Sequence, residues 1–310
     1  MATIPKGDRS GLKASTMDNF IDNLGMRKIL AGLKFKSENL EDVYSELSDH
    51  PEHDGIRKHL EDAIRVHFSH LRLPQEPTIY DLLLLSLREK DVIATFNWDP
   101  LIIHAIQRVS RITKKIPTVL FLHGNVAIHI CHKDQKQVFT LQAGNCRECG
   151  QRLSPCRLLY PVQKKNYNSD PYIKNQWDRI QSYLRNAYIV TIFGYSAPST
   201  DIEAVNLLLN AWGGGEVRTM EEIEIIDLKP EDELEKKWKP FICSSHFQVY
   251  SSFYDSILAK TPRRSVEALF ARYMDCQWYE YSPILNEKMT WIQICHFLEA
   301  VLKEEAFNII

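Results

Sequence analysis

The chain has 310 residues, of which 44% are hydrophobic and 25% charged, and its formal net charge is −2. This composition is typical of a soluble globular protein, and the charge gives no overall positive field that would favour nucleic acid. The apolar run around residues 82–85 is far shorter than the ~20 residues that a membrane span needs, and the first residues lack a signal-peptide pattern. The composition therefore predicts a cytoplasmic protein that acts neither on membranes nor on nucleic acid.

The first quarter of the chain is predicted to be helical. Apolar residues recur at helical spacing over 15–75, and Asn39 is a candidate cap within this block. Pro74 and Pro77 end it, and a further helix is predicted over 78–87. Later helices are expected at 171–187 and 204–212, and the segment 251–310 is predicted to form a C-terminal helical extension.

Three short apolar runs are predicted to be buried parallel strands. They cover 91–96, 119–122 and 188–193, and each ends abruptly in polar residues or glycine. A helix expected from residue 99 separates the first two strands, as a parallel crossover requires. The fold class predicted is α/β: a Rossmann-like parallel sheet with helices on both faces, a helical N-terminal insertion and a small zinc-ribbon-like module. Because ligands bind at the carboxyl ends of such strands, Asn97, Asp99 and His123 are expected to project into one crevice.

Four of the seven cysteines lie between residues 131 and 156, which favours a metal site over disulfides. Cys146 and Cys149 form a CxxC knuckle that Gly150 allows to turn tightly, and Cys131 is a plausible third ligand. The sequence leaves the fourth ligand open between Asp134, His132 and His129. The segment 127–160 is otherwise expected to be an irregular insertion. The metal would be structural, and the alternative is a loop that binds no metal.

The motifs occur in an order that resembles the sirtuin superfamily, and more closely its bacterial sirtuin-like branch than the protein deacylases. The resemblance covers residues 75–250, which with the preceding residues is expected to form one NAD-binding domain over 1–250. It is carried by these pieces: Thr95-Phe96-Asn97-Trp98-Asp99, Leu122-His123-Gly124, Cys146-Arg147-Glu148-Cys149-Gly150, Phe193-Gly194-Tyr195-Ser196 through Asp201, and Ile223-Glu224-Ile225-Ile226-Asp227.

The resemblance implies that the chain binds NAD and breaks its nicotinamide–ribose bond. It implies that Asn97 positions water or substrate near the ribose, that Asp99 contacts the nicotinamide amide, and that His123 acts as a base. Gly194 and Ser196 would meet the phosphates, and Asp227 would bind the adenosine ribose hydroxyls.

Each of these residues also has a structural interpretation. Asn97 is typical of a turn after a strand, and His123 could donate to a backbone carbonyl. Asp99 could cap the helix that begins near Pro100. Asp227 could be a simple turn residue, and Asp201 is interpreted as the cap of the following helix.

Two features distinguish the chain from the deacylases. Phe96 stands where they usually carry Gln, and the glycine-rich loop that wraps the NAD phosphates is expected to be missing. The leading hypothesis is an NAD glycohydrolase of antiviral defence that assembles with itself or with a partner protein. The alternatives are a non-catalytic NAD or nucleotide sensor in a defence complex, and an NAD-dependent protein deacylase.

Overall fold

The computed structural model describes residues 20–30, 33, 35, 39–134, 136–160, 167–195, 197, 201–243, 246–277 and 284–307. The helices are α1 Phe20–Asn23, α2 Arg27–Leu30, α3 Leu40–Asp49, α4 Asp54–Ser69, α5 Ile79–Leu85, α6 Leu101–Val109, α7 Pro171–Asn186, α8 Ile202–Trp212, α9 Glu231–Trp238, α10 Ile257–Lys260, α11 Ser265–Met274 and α12 Trp291–Phe307. The strands are β1 Val92–Thr95, β2 Thr118–Phe121, β3 Ile128–Cys131, β4 Lys136–Phe139, β5 Ser154–Pro155, β6 Ile189–Phe193, β7 Glu222–Ile226 and β8 Phe247–Tyr250.

The parallel strands form two ladders. β1 pairs with β2, and β6, β7 and β8 pair in that order, all in parallel. Within the described residues β1 is paired only with β2, and β6 only with β7. The predicted α/β class is confirmed, although β1 and β2 belong to one ladder and β6 to another. β8 is an additional strand that the apolar pattern did not reveal.

Helices cover both faces of the parallel strands. Alternate residues of a strand point to opposite faces, so each ladder contributes to two hydrophobic clusters. Val119 and Phe121 pack with α5, α6, α10 and α12 on one face. Leu120 and Leu122 pack with α7, α8 and α9 on the other face. The end of β2, which leads to His123, is therefore packed between helices on both faces.

Helix α7 holds the end of β2 in place. Asp170 caps the helix by accepting from the Ile173 backbone N–H, and Pro171 occupies the first turn, where its missing N–H costs nothing. The buried Gln176 side chain accepts from the backbone N–H of Phe121 at 3.2 Å. The Trp177 indole N–H donates to the carbonyl of Leu122 at 3.0 Å, immediately before His123.

The N-terminal helices have a hydrophobic cluster of their own. Leu47, Leu60 and Ile64 are fully buried among residues of α1 to α4. Trp98, from the loop after β1, packs against this cluster together with Tyr160. The helical block therefore lies directly against the loop that carries Asn97 and Asp99.

The insertion after β2 is more regular than the sequence indicated. β3 pairs antiparallel with β4 on one side and with β5 on the other. These strands have four, four and two residues, which is too short for a clear alternating pattern. At the other end of the chain, α12 packs Ile294, Phe297 and Leu298 into the main core. None of the helices in the described part of the chain combines the length and apolar character that crossing a bilayer requires.

Candidate functional site

The loops after β1 and β2 are tied together by backbone and side-chain hydrogen bonds. The Leu122 N–H donates to the carbonyl of Thr95 at 2.9 Å, and the Val126 N–H donates to the carbonyl of Trp98 at 2.9 Å. Asn125 is fully buried; its amide donates to the Asp99 carbonyl, and its side-chain oxygen accepts from the Ala127 N–H. Asn125 thereby ties the two loops together, and the only sign of it in the sequence is a polar residue directly after His123-Gly124.

His123 is buried at the end of β2, with 5% of its surface exposed. The backbone carbonyl of His123 accepts from the Leu159 N–H at 2.9 Å, which holds the main chain at this position. Gly124 adopts a φ of +78°, and a Cβ there would come within 2.0 Å of the Arg157 carbonyl oxygen. The close passage of the chain leaving the cysteine module therefore requires a glycine at this position.

Aromatic rings line the site around His123. Phe96 stacks on Tyr195, with ring centroids 4.2 Å apart, and meets the His123 ring edge-on at 4.8 Å. Tyr167 lies over His123 with its centroid 6.2 Å away, and it packs against Trp177 at 4.6 Å. Burial raises the pKa of Tyr167 and of Tyr195, so both hydroxyls stay protonated at neutral pH. The walls are therefore apolar and neutral.

Asp201 is an acidic residue that borders these rings. It occupies the N-cap position of α8, yet its carboxylate makes no capping hydrogen bond to that helix. Instead, the Tyr195 hydroxyl donates to Asp201 Oδ2 at 3.2 Å, and Asp201 Oδ1 lies 4.0 Å from His123 Nε2. Asp201 therefore occupies the N-cap position that the sequence predicted, but the prediction that its side chain caps the helix is wrong.

Asn97 and Asp99 both lie in the loop after β1, Asn97 at the surface and Asp99 buried. Asn97 is exposed, and its backbone N–H donates to Thr95 Oγ1 at 3.1 Å. Asp99 is 8% exposed, and its Oδ1 accepts from the Leu101 N–H at 2.9 Å, so the capping interpretation of Asp99 matches the structure. Burial raises the pKa of Asp99 to about 6.

The residues predicted to bind the phosphates and the adenosine ribose are only partly described. Gly194 follows β6 with a φ of +61°, and its N–H donates to the Ile226 carbonyl at 2.9 Å. Ser196 lies outside the described residues. Asp227 follows β7, and its Oδ1 accepts from the Lys229 N–H at 3.1 Å, which is the turn interaction that the sequence also allowed.

Cys131, Asp134, Cys146 and Cys149 form a cluster that could hold a metal ion. One donor atom from each lies within 4.8 Å of the others. Cys131 Sγ is 3.4 Å from Cys149 Sγ and 3.4 Å from Asp134 Oδ2, and Cys146 Sγ is 3.1 Å from Asp134 Oδ2. Tetrahedral Zn²⁺ with bonds of about 2.3 Å to sulfur separates its ligand sulfurs by roughly 3.8 Å, so the donor set fits zinc after a small expansion.

The cluster decides which residue is the fourth candidate ligand. Asp134 belongs to it, whereas His129 points its Nδ1 at the Thr140 carbonyl, 3.0 Å away. Cys156 stands apart from it, with its thiol donating to the Arg157 carbonyl at 3.3 Å. With four protein ligands the metal would have no open position for chemistry, which makes its role structural.

Comparison with known proteins gives structural similarity alone. No protein-family model matches the chain, and no curated protein matches it. Among solved structures, it is similar to a Sir2 homolog–NAD complex at 14% identity with a TM-score of 0.42, covering 79% of this chain and 87% of that one. It is also similar to an ADP-ribose complex of a mutant Sir2 homologue at 16% identity and TM-score 0.39, covering 71% and 79%, and to Sir2 bound to acetylated peptide at 16% and 0.37, covering 94% and 99%.

Proposed function

We propose that the chain is an NAD glycohydrolase that cleaves the bond between nicotinamide and ribose. One observation carries the proposal: the ends of β1, β2 and β6 meet around His123. Phe96, directly after β1, and Tyr195, just beyond β6, both pack at this point. Three of the sequence motifs that resemble the sirtuin superfamily supply Phe96, His123 and Tyr195.

The reaction passes through a ribose that carries partial positive charge, as in glycoside cleavage generally. The bond between ribose C1′ and the nicotinamide nitrogen breaks, and its electron pair leaves with nicotinamide. A water oxygen then bonds to C1′ and loses a proton, giving ADP-ribose and nicotinamide. The face of a neutral aromatic ring stabilises a nearby cation, so the cage of Phe96, Tyr167 and Tyr195 suits such a state.

Three residues have proposed roles in this step. His123 takes up the proton released from water or from a ribose hydroxyl, which an imidazole can do near neutral pH. Asn97 is neutral and both donates and accepts, so it can hold the attacking water without neutralising the cation. Asp99 accepts from the carboxamide of the leaving nicotinamide while its other contact caps α6.

Binding of the rest of NAD is proposed at the ends of β6 and β7. Gly194 and Ser196 would meet the phosphates, and Asp227 would accept from the adenosine ribose hydroxyls. Zinc in the Cys131, Asp134, Cys146 and Cys149 cluster would fix the module beside Arg157, whose carbonyl packs on Gly124. From the family resemblance we also propose a role in antiviral defence, restrained by self-assembly or by a partner protein.

The test is to incubate the purified protein with NAD and to measure the nicotinamide released by chromatography. We expect stoichiometric ADP-ribose in the wild type, and a loss of at least about 100-fold in H123A, as removal of a general base typically causes. H296A removes an exposed histidine on α12 and is expected to match the wild type. Release that persists in H123A would exclude the assignment.

The same assay separates the two alternatives. Consumption of NAD that depends on an added acetyl-lysine peptide would identify a deacylase. Binding of NAD by calorimetry with no turnover would identify a sensor.

A further inference from the structure

We propose that Asp201 is a positioning residue for His123: its carboxylate, held by the Tyr195 hydroxyl, orients the imidazole and stabilises its protonated form. The catalytic part of this inference rests on the proposed hydrolase function. The pairing of the two side chains does not depend on it.

Asp201 and His123 are both buried, which strengthens the electrostatic interaction between them. Asp201 and His123 are each 5% exposed, and the atoms Oδ1 and Nε2 are 4.0 Å apart. A carboxylate at this distance interacts far more strongly with an imidazolium inside a protein than at its surface, because little water screens the two charges. The pair therefore favours a proton on Nε2 and increases the basicity of the ring.

The Asp201 side chain does not make the capping contact that its position at the start of α8 suggests. An aspartate at an N-cap usually accepts from the backbone N–H groups of the first helical turn. At the start of α8 the carboxylate makes no such bond, and Oδ2 accepts instead from the Tyr195 hydroxyl at 3.2 Å. The Asp201 carboxylate thus forgoes a capping contact and is turned toward His123.

Tyr195 is itself held rigidly. Its ring stacks on Phe96 with 9° between the planes, and Phe96 in turn meets the edge of the His123 ring. The contacts therefore run in a ring from His123 to Phe96, Tyr195 and Asp201 and back to His123. A histidine held by a carboxylate and by neighbouring rings loses rotational freedom before substrate arrives, which is the purpose of a positioning residue.

The charges around the ring come from few groups in the described part of the chain. Tyr167 and Tyr195 face it and stay neutral, because burial raises the pKa of each. Glu203, in the first turn of α8, is exposed and acts with Asp201 to raise the pKa of Tyr167 further. Asp201 is thus the buried charge next to the imidazole, and Glu203 offers a matched control at the surface.

The experiment measures the His123 pKa directly, by NMR titration of protein carrying ¹³C-labelled histidine, with H123A used to assign the signal. We expect D201N to lower the His123 pKa by about one unit or more, as loss of a nearby opposite charge does. E203Q is expected to leave it unchanged. In the activity assay, D201N should lower kcat by at least about tenfold with little change in KM, and should shift the acidic limb of the pH profile by the same amount.

The two readouts separate the outcomes. An unchanged His123 pKa in folded D201N overturns the proposal whatever the activity. A lowered pKa in a protein that does not hydrolyse NAD supports the pairing and rejects the hydrolase function. If D201N does not fold, Y195F replaces it: this variant keeps the ring stack, removes the hydroxyl contact and should shift the His123 pKa in the same direction, and no shift would overturn the proposal.

Discussion

The rings of Phe96 and Tyr195 lie flat against each other, with 4.2 Å between their centroids and 9° between their planes. Phe96 follows β1 and Tyr195 follows β6, so this stack joins the carboxyl ends of two ladders that share no pairing among the described strands. Phe96 therefore contributes a contact between the two halves of the site.

The stack is expected to contribute measurable coupling between the two ladders. A double-mutant cycle of F96A and Y195A should give an interaction energy of about 0.5–1.5 kcal/mol, the usual range for stacked aromatic pairs. Urea unfolding of the four proteins measures it. F96A combined with F270A, which removes an exposed ring on α11, should be additive. Additivity of F96A with Y195A would show that the stack does not couple the ladders.

Asp99 is predicted to have separable roles in capping and in binding nicotinamide. D99N keeps the oxygen that accepts from the Leu101 N–H and removes a buried charge, so its melting temperature at pH 7 should be no lower than that of the wild type. D99A loses that contact and should lose about 1 kcal/mol of stability. Both variants should weaken inhibition by nicotinamide, because the accepting carboxylate is gone. Wild-type inhibition in D99N would assign Asp99 to capping alone.

The same role predicts a pH dependence for the wild type. Burial raises the Asp99 pKa to about 6, so the carboxylate takes up a proton as the pH falls below that value. Nicotinamide inhibition should weaken below pH 6 in the wild type and should be flat across this range in D99N. Inhibition that is independent of pH between 5 and 7 in the wild type would contradict the assignment.

The cysteine cluster is predicted to bind one zinc ion per chain. Native mass spectrometry should find the ion in the wild type and in C156S, because Cys156 lies outside the cluster. C131S and C146S should lose it, and D134A should bind it more weakly in competition with a chromophoric chelator. Removal of the metal should lower the melting temperature, since the segments 131–134 and 146–149 are then no longer held together. Equal zinc content in wild type and C146S would refute the site.

Glu224 is predicted to make folding less favourable as the pH rises from 4.5 to 7. It lies in β7, 1% exposed, and burial raises its pKa to about 7. The folded protein keeps this proton in a range where the unfolded chain has released it, so stability falls by about 3 kcal/mol across the window. Below pH 4.5 both states are protonated, and the contribution no longer changes.

The variant E224Q isolates this effect. A glutamine can accept from the Ile257 N–H and donate to Thr191 Oγ1, replacing the contacts of the glutamic acid. Urea unfolding of E224Q at pH 5, 6 and 7 should therefore show a flatter profile than the wild type. E235Q, an exposed residue on α9, should follow the wild type. Identical slopes for E224Q and the wild type would contradict the prediction.

The sequence by itself determined most of the local structure. The apolar spacing over 171–187 predicted α7, which runs from Pro171 to Asn186, because one helix face must bury Trp177 and Ile180. The apolar runs that end in Asn97, His123 and Gly194 likewise predicted β1, β2 and β6. These patterns succeed because helix and strand periods are properties of neighbouring residues.

Tertiary structure decided what these elements bring together. The pairing of β3 with β4 selects Asp134 over His129 in the cysteine cluster, and β8 becomes a strand by pairing with β7. The local sequence indicates a cap at Asp201, yet its carboxylate points to a histidine 78 positions earlier in the chain. At Gly124 the backbone carbonyl of Arg157, which comes from a distant segment, leaves no room for a side chain. Local periodicity carries no information about such contacts, because the packing of distant segments sets them.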